Sequence, residues 1–428
     1  MKKLLAVILA AFVMLCFFGC RQKTDDVMSG EVVSAAESEI SDAAEPENDL
    51  SDVSEVSGLS EVESRPPFVE QAGQSDIFLP AETDEVAAPP DTRTPAEKYT
   101  DTLSLEQQLG QMFFARCPTG NGAEQAAQYN VGGYILFGRD FDGQTPDSLR
   151  ENIASYQSAA QTPMLIGVDE EGGSVVRVSA YKAFRPERFR SPQYLYNKGG
   201  IGAIISDADE KDTLLKSLGI NVNLAPVCDI SEDPADFIYS RTLGKGAEET
   251  AEYISRLVEK MNFDGVGSVL KHFPGYGNNS DTHTGIAVDE RPAETFFEKD
   301  FLPFSAGISS GVGSVLVSHN IVKAFNSDVP ASLSKEVHDV LRNDLGFTGV
   351  IMTDDLAMSA ITSYTGGQSA AVMAVEAGND MLISSDLEGQ YAAVLDAVNS
   401  GRISEQRIRQ SASRVINWKM ALGLIPVG

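Results

Sequence analysis

Gly349-Val-Ile-Met-Thr-Asp-Asp-Leu-Ala-Met358 is the stretch that decides the fold. Val350–Met352 is a short apolar run of the kind that forms a strand buried on both faces, and it delivers Asp354 and Asp355 just past its end. The same design recurs upstream. Met164–Val168 runs into Asp169-Glu170-Glu171, Val266–Leu270 into Lys271-His272, and Ser314–Val317 into Ser318-His319-Asn320. Met112–Ala115, Tyr134–Phe137, Val222–Leu224 and Met381–Ile383 complete a set of candidate strands. Between them lie segments such as Glu248–Met261 and Gln368–Ala377, whose apolar residues recur at helical spacing, and Ser104-x-x-Gln107 marks a helix start. Strands alternating with helices predict an α/β protein with a single (β/α)8 TIM-type barrel over residues 96–428. The polar clusters after the strands fit the C-terminal rim, where barrel enzymes hold their chemistry. A doubly wound open sheet is the rival, and it lacks a glycine-rich nucleotide fingerprint after the first strand.

The sequence ahead of the barrel is of another kind. Lys2 and Lys3 followed by the apolar run Leu4–Phe18 read as an export signal over residues 1–20. Gly19-Cys20 closes it in the manner of a bacterial lipobox, with Phe17 where Leu is usual. Cys20 is therefore the expected lipidation site and membrane anchor, and the protein is expected outside the cytoplasm, lipid-anchored or secreted. Residues 21–95 carry 19 acidic and 4 basic side chains among Ser, Ala and Pro, with few aromatics. Such a segment cannot bury enough apolar surface to offset its ordering entropy, so it reads as a disordered acidic tether. The net charge of −29 argues against a general nucleic-acid or anionic-membrane binder. Cys117 and Cys228, the cysteines beyond the signal region, read as buried free thiols, with a disulfide between them as the alternative.

Several residues at the predicted strand ends can do chemistry. A Lys at a buried strand end is costly without a partner, so Lys271 reads either as a donor to substrate hydroxyls or as half of an ion pair. Asp281 and His283, one residue apart on a loop, can form a dyad in which the carboxylate orients the imidazole; the competing reading is a solvated loop. Of Asp354 and Asp355, adjacent residues that point to opposite sides, one is expected to face the site and the other to cap the following helix. Asp169 and Arg177 flank the Gly172-Gly173 turn, and Arg241 is a further rim candidate. His272, His283, His319 and Asp281 could in principle ligate zinc, but no compact ligand motif is present, and neither metal nor other cofactor is expected.

Taken together, Val168-Asp-Glu-Glu-Gly-Gly173, Lys271-His-Phe-Pro-Gly275, Asp281-Thr-His283 and Thr353-Asp-Asp-Leu-Ala-Met358 resemble glycoside hydrolase family 3, in its β-N-acetylhexosaminidase branch. The likeness covers about residues 100–425. It implies a (β/α)8 barrel and a retaining exo-glycosidase that removes terminal β-linked N-acetylglucosamine from peptidoglycan or another surface glycan. It further implies Asp354 as nucleophile, His283 as general acid/base with Asp281 as its partner, and Asp169, Arg177, Arg241, Lys271 and His272 as ligands of the terminal sugar. A carbohydrate substrate follows from the same resemblance, and a monomer is expected. Asp355 stands where β-glucosidases of the family place Trp, and the sequence from Ile383 to Gly428 is short for the second α/β domain they typically carry. Two departures bear on aglycone preference. Tyr276-Gly277 replaces the usual His-Gly, and the loop from His272 to Asp281 is shortened. The alternatives are a β-glucosidase or glycoside phosphorylase of the same family, and a non-catalytic glycan-binding lipoprotein.

Overall fold

The computed structural model describes residues 91–279, 285–365 and 369–427. The signal region, Cys20, most of the acidic tether, Asp281 and His283 lie outside these residues. Thr94 caps the helix Pro95–Thr100 through a reciprocal capping box with Glu97.

Eight strands form the barrel: β1 (Phe113–Arg116), β2 (Gly133–Leu136), β3 (Leu165–Val168), β4 (Val222–Asn223), β5 (Gly267–Phe273), β6 (Ser314–Val317), β7 (Val350–Thr353) and β8 (Leu382–Ser384). They are hydrogen-bonded in parallel in the order β8-β1-β2-β3-β4-β5-β6-β7. A parallel bridge between Met352 and Met381 joins the last pair, so the sheet closes on itself. The strands match the apolar runs read from the sequence, most of them shifted by a residue. The exception is β5, which continues through Lys271 and His272 to Phe273; both polar residues are inside the strand and buried.

Each strand supplies the barrel interior with alternate side chains. Phe114, Ile135, Leu224, Val269, Leu316, Met352 and Ile383 belong to one buried cluster. Gly167 takes the place of a larger residue there: a Cβ at this position would lie 2.4 Å from the Phe114 ring. The cluster also contains Trp418, from the last helix, Glu405–Ala421. Its indole fills the space that side chains at Gly267 and Gly313 would need, and both glycines stand at the N-terminal ends of their strands. Trp418 therefore stops the barrel from below and leaves the C-terminal mouth as the open end. The same helix is fastened by Asp380, which is fully buried. It accepts from Arg342, from Arg414 at 2.8 Å, from the Ser411 hydroxyl at 2.8 Å and from the Ile351 N–H at 3.1 Å. Two larger apolar clusters fill the space between the outer strand faces and the helices. Glu248–Met261 lies inside the helix Ala247–Asp264, which ends on Gly265 in the left-handed conformation at φ 74°. The second predicted helix begins at Ala370, capped by Ser369.

Candidate active site

A cavity of about 300 Å³ opens at the C-terminal mouth of the barrel. Ile135, Leu224, Leu316 and Ile383 give it an apolar floor, and Asp169, Arg177, Arg241, Lys271, His272 and Asp354 bring polar groups to its walls. The structure thus gathers all the described site residues expected from the sequence into one pocket, from the ends of four strands, β3, β4, β5 and β7.

The most buried charges form a network. The Lys271 ammonium, 3% exposed, lies 2.7 Å from Asp169 Oδ1 and 2.7 Å from Glu171 Oε1. Arg241 grips the same Glu171 with two prongs, Nε at 3.0 Å and Nη2 at 2.7 Å. Burial alone would push the Glu171 carboxyl up, but Lys271 and Arg241 outweigh it and hold the group well below the usual carboxylate range. Burial works against the charge on Lys271 in the same way, and Asp169 and Glu171 overcome it and raise its pKa. Two of the three Lys271 protons are committed to carboxylates, so this side chain is both an ion-pair partner and a remaining donor. Arg241 Nη1 has no protein partner among the described residues, which leaves a guanidinium edge for a ligand. Arg177 is looser: its Nη2 stands 3.9 Å from Asp169 Oδ2, and the side chain is 30% exposed at the rim.

His272 is fixed on both sides. Its Nδ1–H donates to Asp229 Oδ2 at 2.7 Å, and Nε2 accepts from Arg241 Nη2 at 3.2 Å. Asp229 also accepts the backbone N–H of His272 at 3.1 Å and that of Tyr276 at 2.7 Å. The Tyr276 ring packs edge-on against His272 with centroids 5.3 Å apart, so the residue that departs from the family pattern braces a site residue.

The turn after β7 is held from β6. The Asp354 N–H donates to the Val317 carbonyl at 3.1 Å, and Asp354 Oδ1 accepts the Asp355 N–H at 2.7 Å. His319 is fully buried, accepts from the Ser332 hydroxyl through Nδ1 at 2.7 Å, and donates from Nε2 to the Asp355 carbonyl at 3.0 Å. Of the two adjacent acids one faces the cavity as expected, but the other does not cap the following helix: Ser359–Tyr364 starts from Met358 with no side-chain cap, and Asp355 is spent on the turn instead. Asp354 faces the cavity, while Asp355, at the cavity edge, takes the Ala357 N–H at 3.0 Å and the Ser385 hydroxyl. On the opposite wall, buried Glu170 folds the glycine turn by accepting the N–H groups of Arg177 at 2.8 Å, Val178 at 2.7 Å and Ser179 at 3.2 Å.

Glu171, Asp229 and Glu170 are not among the site residues expected from the sequence, and His319, weighed there only as a zinc ligand, serves instead to hold the turn after β7. Glu170 and Glu171 were visible beside Asp169, but which of the three acids meets a cation depends on long-range contacts. Asp229 carried only the weak signal of a polar residue shortly after an apolar strand. Among the described residues no group of three His, Cys, Asp or Glu is arranged to hold a metal ion. Cys117 and Cys228 are free and buried, and burial pushes the Cys117 thiol up to about 12.

Comparison with known proteins agrees with the barrel fold. The family profile described as glycosyl hydrolase family 3 N terminal domain matches residues 104–418. A beta-hexosaminidase of Nitrosomonas eutropha is 32% identical over 297 residues, covering 66% of this chain and 83% of the relative. One from Xanthomonas campestris is 30% identical over 302 residues, covering 70% and 86%. Among solved structures, a family 3 beta-N-acetylglucosaminidase from Paenibacillus superposes with a TM-score of 0.70 at 32% identity, covering 75% of this chain; the match spans 63% of that longer chain. A beta-N-acetylhexosaminidase from Beutenbergia cavernae gives 0.67 at 27% identity, with 74% and 99% covered. The chain belongs to glycosyl hydrolase family 3, and the barrel of residues 104–418 corresponds to the family's N-terminal domain.

Proposed function

We propose that this protein is a retaining exo-β-N-acetylglucosaminidase that removes terminal β-linked N-acetylglucosamine from a cell-envelope glycan such as peptidoglycan. The carrying observation is the blind pocket itself. At about 300 Å³ it is at the small end of ligand sites. It is stopped from below by the barrel core, so it takes one sugar ring end-on rather than a chain running through. The apolar floor meets a ring face. Asp169, Arg177, Arg241, Lys271 and His272 take the hydroxyl and acetamido groups.

In the proposed reaction Asp354 attacks the anomeric carbon, and the C–O bond to the leaving group breaks as His283 donates its proton to that oxygen. His283 then takes a proton from water, which displaces Asp354 and restores the original anomeric configuration. An imidazole in place of a second carboxylate avoids repulsion beside the nucleophile and titrates near neutrality. Asp281 orients the ring. The relatives named beta-hexosaminidase support the sugar specificity. Lys2-Lys3, the apolar run and Gly19-Cys20 support export and a lipid anchor at Cys20, with the acidic segment as the tether.

Nitrophenyl glycosides of N-acetylglucosamine and glucose, assayed side by side, test the specificity. The N-acetylglucosaminide is expected to be turned over preferentially, and a clear preference for the glucoside overturns the reading. Added phosphate is expected to yield no sugar 1-phosphate.

A further inference from the structure

We propose that Arg291 is a positioning residue for the acid/base loop: it ties both stems of the loop carrying Asp281 and His283 to each other and to the barrel. This rests on the acid/base role proposed for His283 and deepens it.

The inbound stem is Gly275–Asn279 and the outbound stem Gly285–Arg291. Arg291 Nε lies 3.0 Å from each oxygen of Asp289, and Nη2 donates to Asp289 Oδ2 at 2.7 Å. Nη1 reaches Asp300 at 3.0 and 3.1 Å. Nη2 also donates across to the Gly275 carbonyl at 3.4 Å, on the inbound stem. Asn279 closes the other half of the clasp, donating to Asp289 Oδ2 and to the Tyr276 carbonyl, each at 2.8 Å.

The two stems fit this guanidinium sterically. Gly277 has φ 55°, and a Cβ there would lie 2.5 Å from Arg291 Cζ. A Cβ at Gly275, φ 122°, would lie 2.5 Å from Asp300 Oδ1. Phe296 covers the other face of the guanidinium, 4.4 Å from its centroid to Cζ. The clasp is anchored at three points. Asp300 immediately precedes the helix Phe301–Ser309, whose Phe301 and Phe304 are in the core. Val288–Asp289 pairs in parallel with Ile321–Val322, which follows β6. Tyr276 donates its N–H to Asp229, the carboxylate that orients His272. A planar fork with donors on three nitrogens can serve two buried carboxylates and a carbonyl together; an ammonium cannot reproduce that geometry. Burial pushes the Asp300 carboxyl up to about 6 even beside Arg291, as expected where one cation serves two enclosed acids.

The test compares substrates with good and poor leaving groups, a nitrophenyl and an alkyl N-acetylglucosaminide. Wild type is measured against His283→Ala, Arg291→Lys, Arg291→Ala and Asn279→Ala. A positioned acid contributes about 10²–10⁴-fold, and it matters most when the leaving group is poor. Arg291→Ala and Arg291→Lys are expected to lose at least about tenfold more kcat/KM on the alkyl than on the nitrophenyl substrate, in the direction set by His283→Ala. Asn279→Ala, which removes one cross-stem bond to Asp289 and one bond within the inbound stem but keeps the ion pairs of Arg291, is expected to shift the same way by a smaller factor. Should Arg291→Ala not fold, Asn279→Ala alone decides. If His283→Ala shows the leaving-group dependence and the clasp variants lose both activities equally, the clasp is merely structural and this proposal falls. If His283→Ala shows no such dependence, the acid/base reading falls and takes this proposal with it.

Discussion

Removing the Glu171 carboxylate should damage stability and binding together. Its Oε1 is 2.7 Å from both the Lys271 ammonium and Arg241 Nη2, and its Oε2 is 3.0 Å from Arg241 Nε. The Glu171 and Lys271 side chains are each 3% exposed, and that of Arg241 is 15% exposed. Glu171→Ala leaves two buried cations facing each other, with Asp169 still on Lys271 and only the more distant charges of Asp229 and Asp169 acting on Arg241. Breaking a buried pair costs about 3–5 kcal/mol. Asp169 still holds Lys271 at 2.7 Å, so the lower end, about 3 kcal/mol, applies. At about 2 °C per kcal/mol for a domain of this size, the melting temperature should fall by roughly 6 °C. Lys271 and Arg241 would also lose their positions on the sugar, so kcat/KM on a nitrophenyl N-acetylglucosaminide should fall about 10²-fold, mainly through KM. Acid should erase part of the difference. The folded-state pKa of Glu171 is held below its ordinary 4.5, so its stabilisation is full above that value and is lost as the pH falls toward the depressed folded value. The stability gap between wild type and Glu171→Gln should therefore narrow on acidification below 4.5. A Glu171→Ala protein that melts with wild type and keeps its kcat/KM at neutral pH would refute the network argument.

Further outcomes follow from the same contacts. Gly313→Ala places a Cβ 2.0 Å from Trp418 Nε1, so the plug must move; unfolding in urea should show a loss of about 1–3 kcal/mol with the specificity between sugars retained. Asp229→Asn weakens the hold on the His272 ring and the Tyr276 N–H. It should raise KM on both nitrophenyl and alkyl substrates through His272, and, because the Tyr276 N–H also anchors the loop clasp, add a leaving-group-dependent loss smaller than that of Arg291→Ala; an unchanged KM would contradict its assignment to sugar binding. His319→Ala removes the donor to the Asp355 carbonyl. It should lower kcat more than it raises KM, because it loosens the turn that aims Asp354.

Much of the fold was legible because a strand buried on both faces must be apolar throughout and must stop where polar groups reach the rim. Val350–Met352 and Ser314–Val317 show this plainly. Local sequence ends β5 at Leu270, short of the observed Phe273, for a physical reason. Lys271 and His272 look like an ending, and they continue the strand only because Asp169, Glu171 and Asp229 arrive from the ends of β3 and β4. That pairing is invisible to local periodicity. Arg241 shows the same limit. Alone in a loop it reads as solvated, and only Glu171, seventy positions away, draws it inside. Trp418 and Asp380 were silent in the sequence for the mirror reason: their partners, Gly267, Gly313, Arg342 and Arg414, are gathered only when the barrel closes. Asp354 and Asp355 mark how far local reading goes: alternation says that one of the two faces the rim, the resemblance names Asp354, and the cavity lies on its side.

The most direct test of the account is the identity of the residue that becomes covalently bound. A fluorinated N-acetylglucosaminyl donor that forms the glycosyl-enzyme quickly and releases it slowly should be incubated with the protein, followed by peptide mapping by mass spectrometry. The account predicts a single added sugar on the peptide containing Asp354, localised to that residue and absent in Asp354→Ala. A stable label on Asp355 or Asp169, or turnover of this donor with inversion and no covalent adduct, would contradict it.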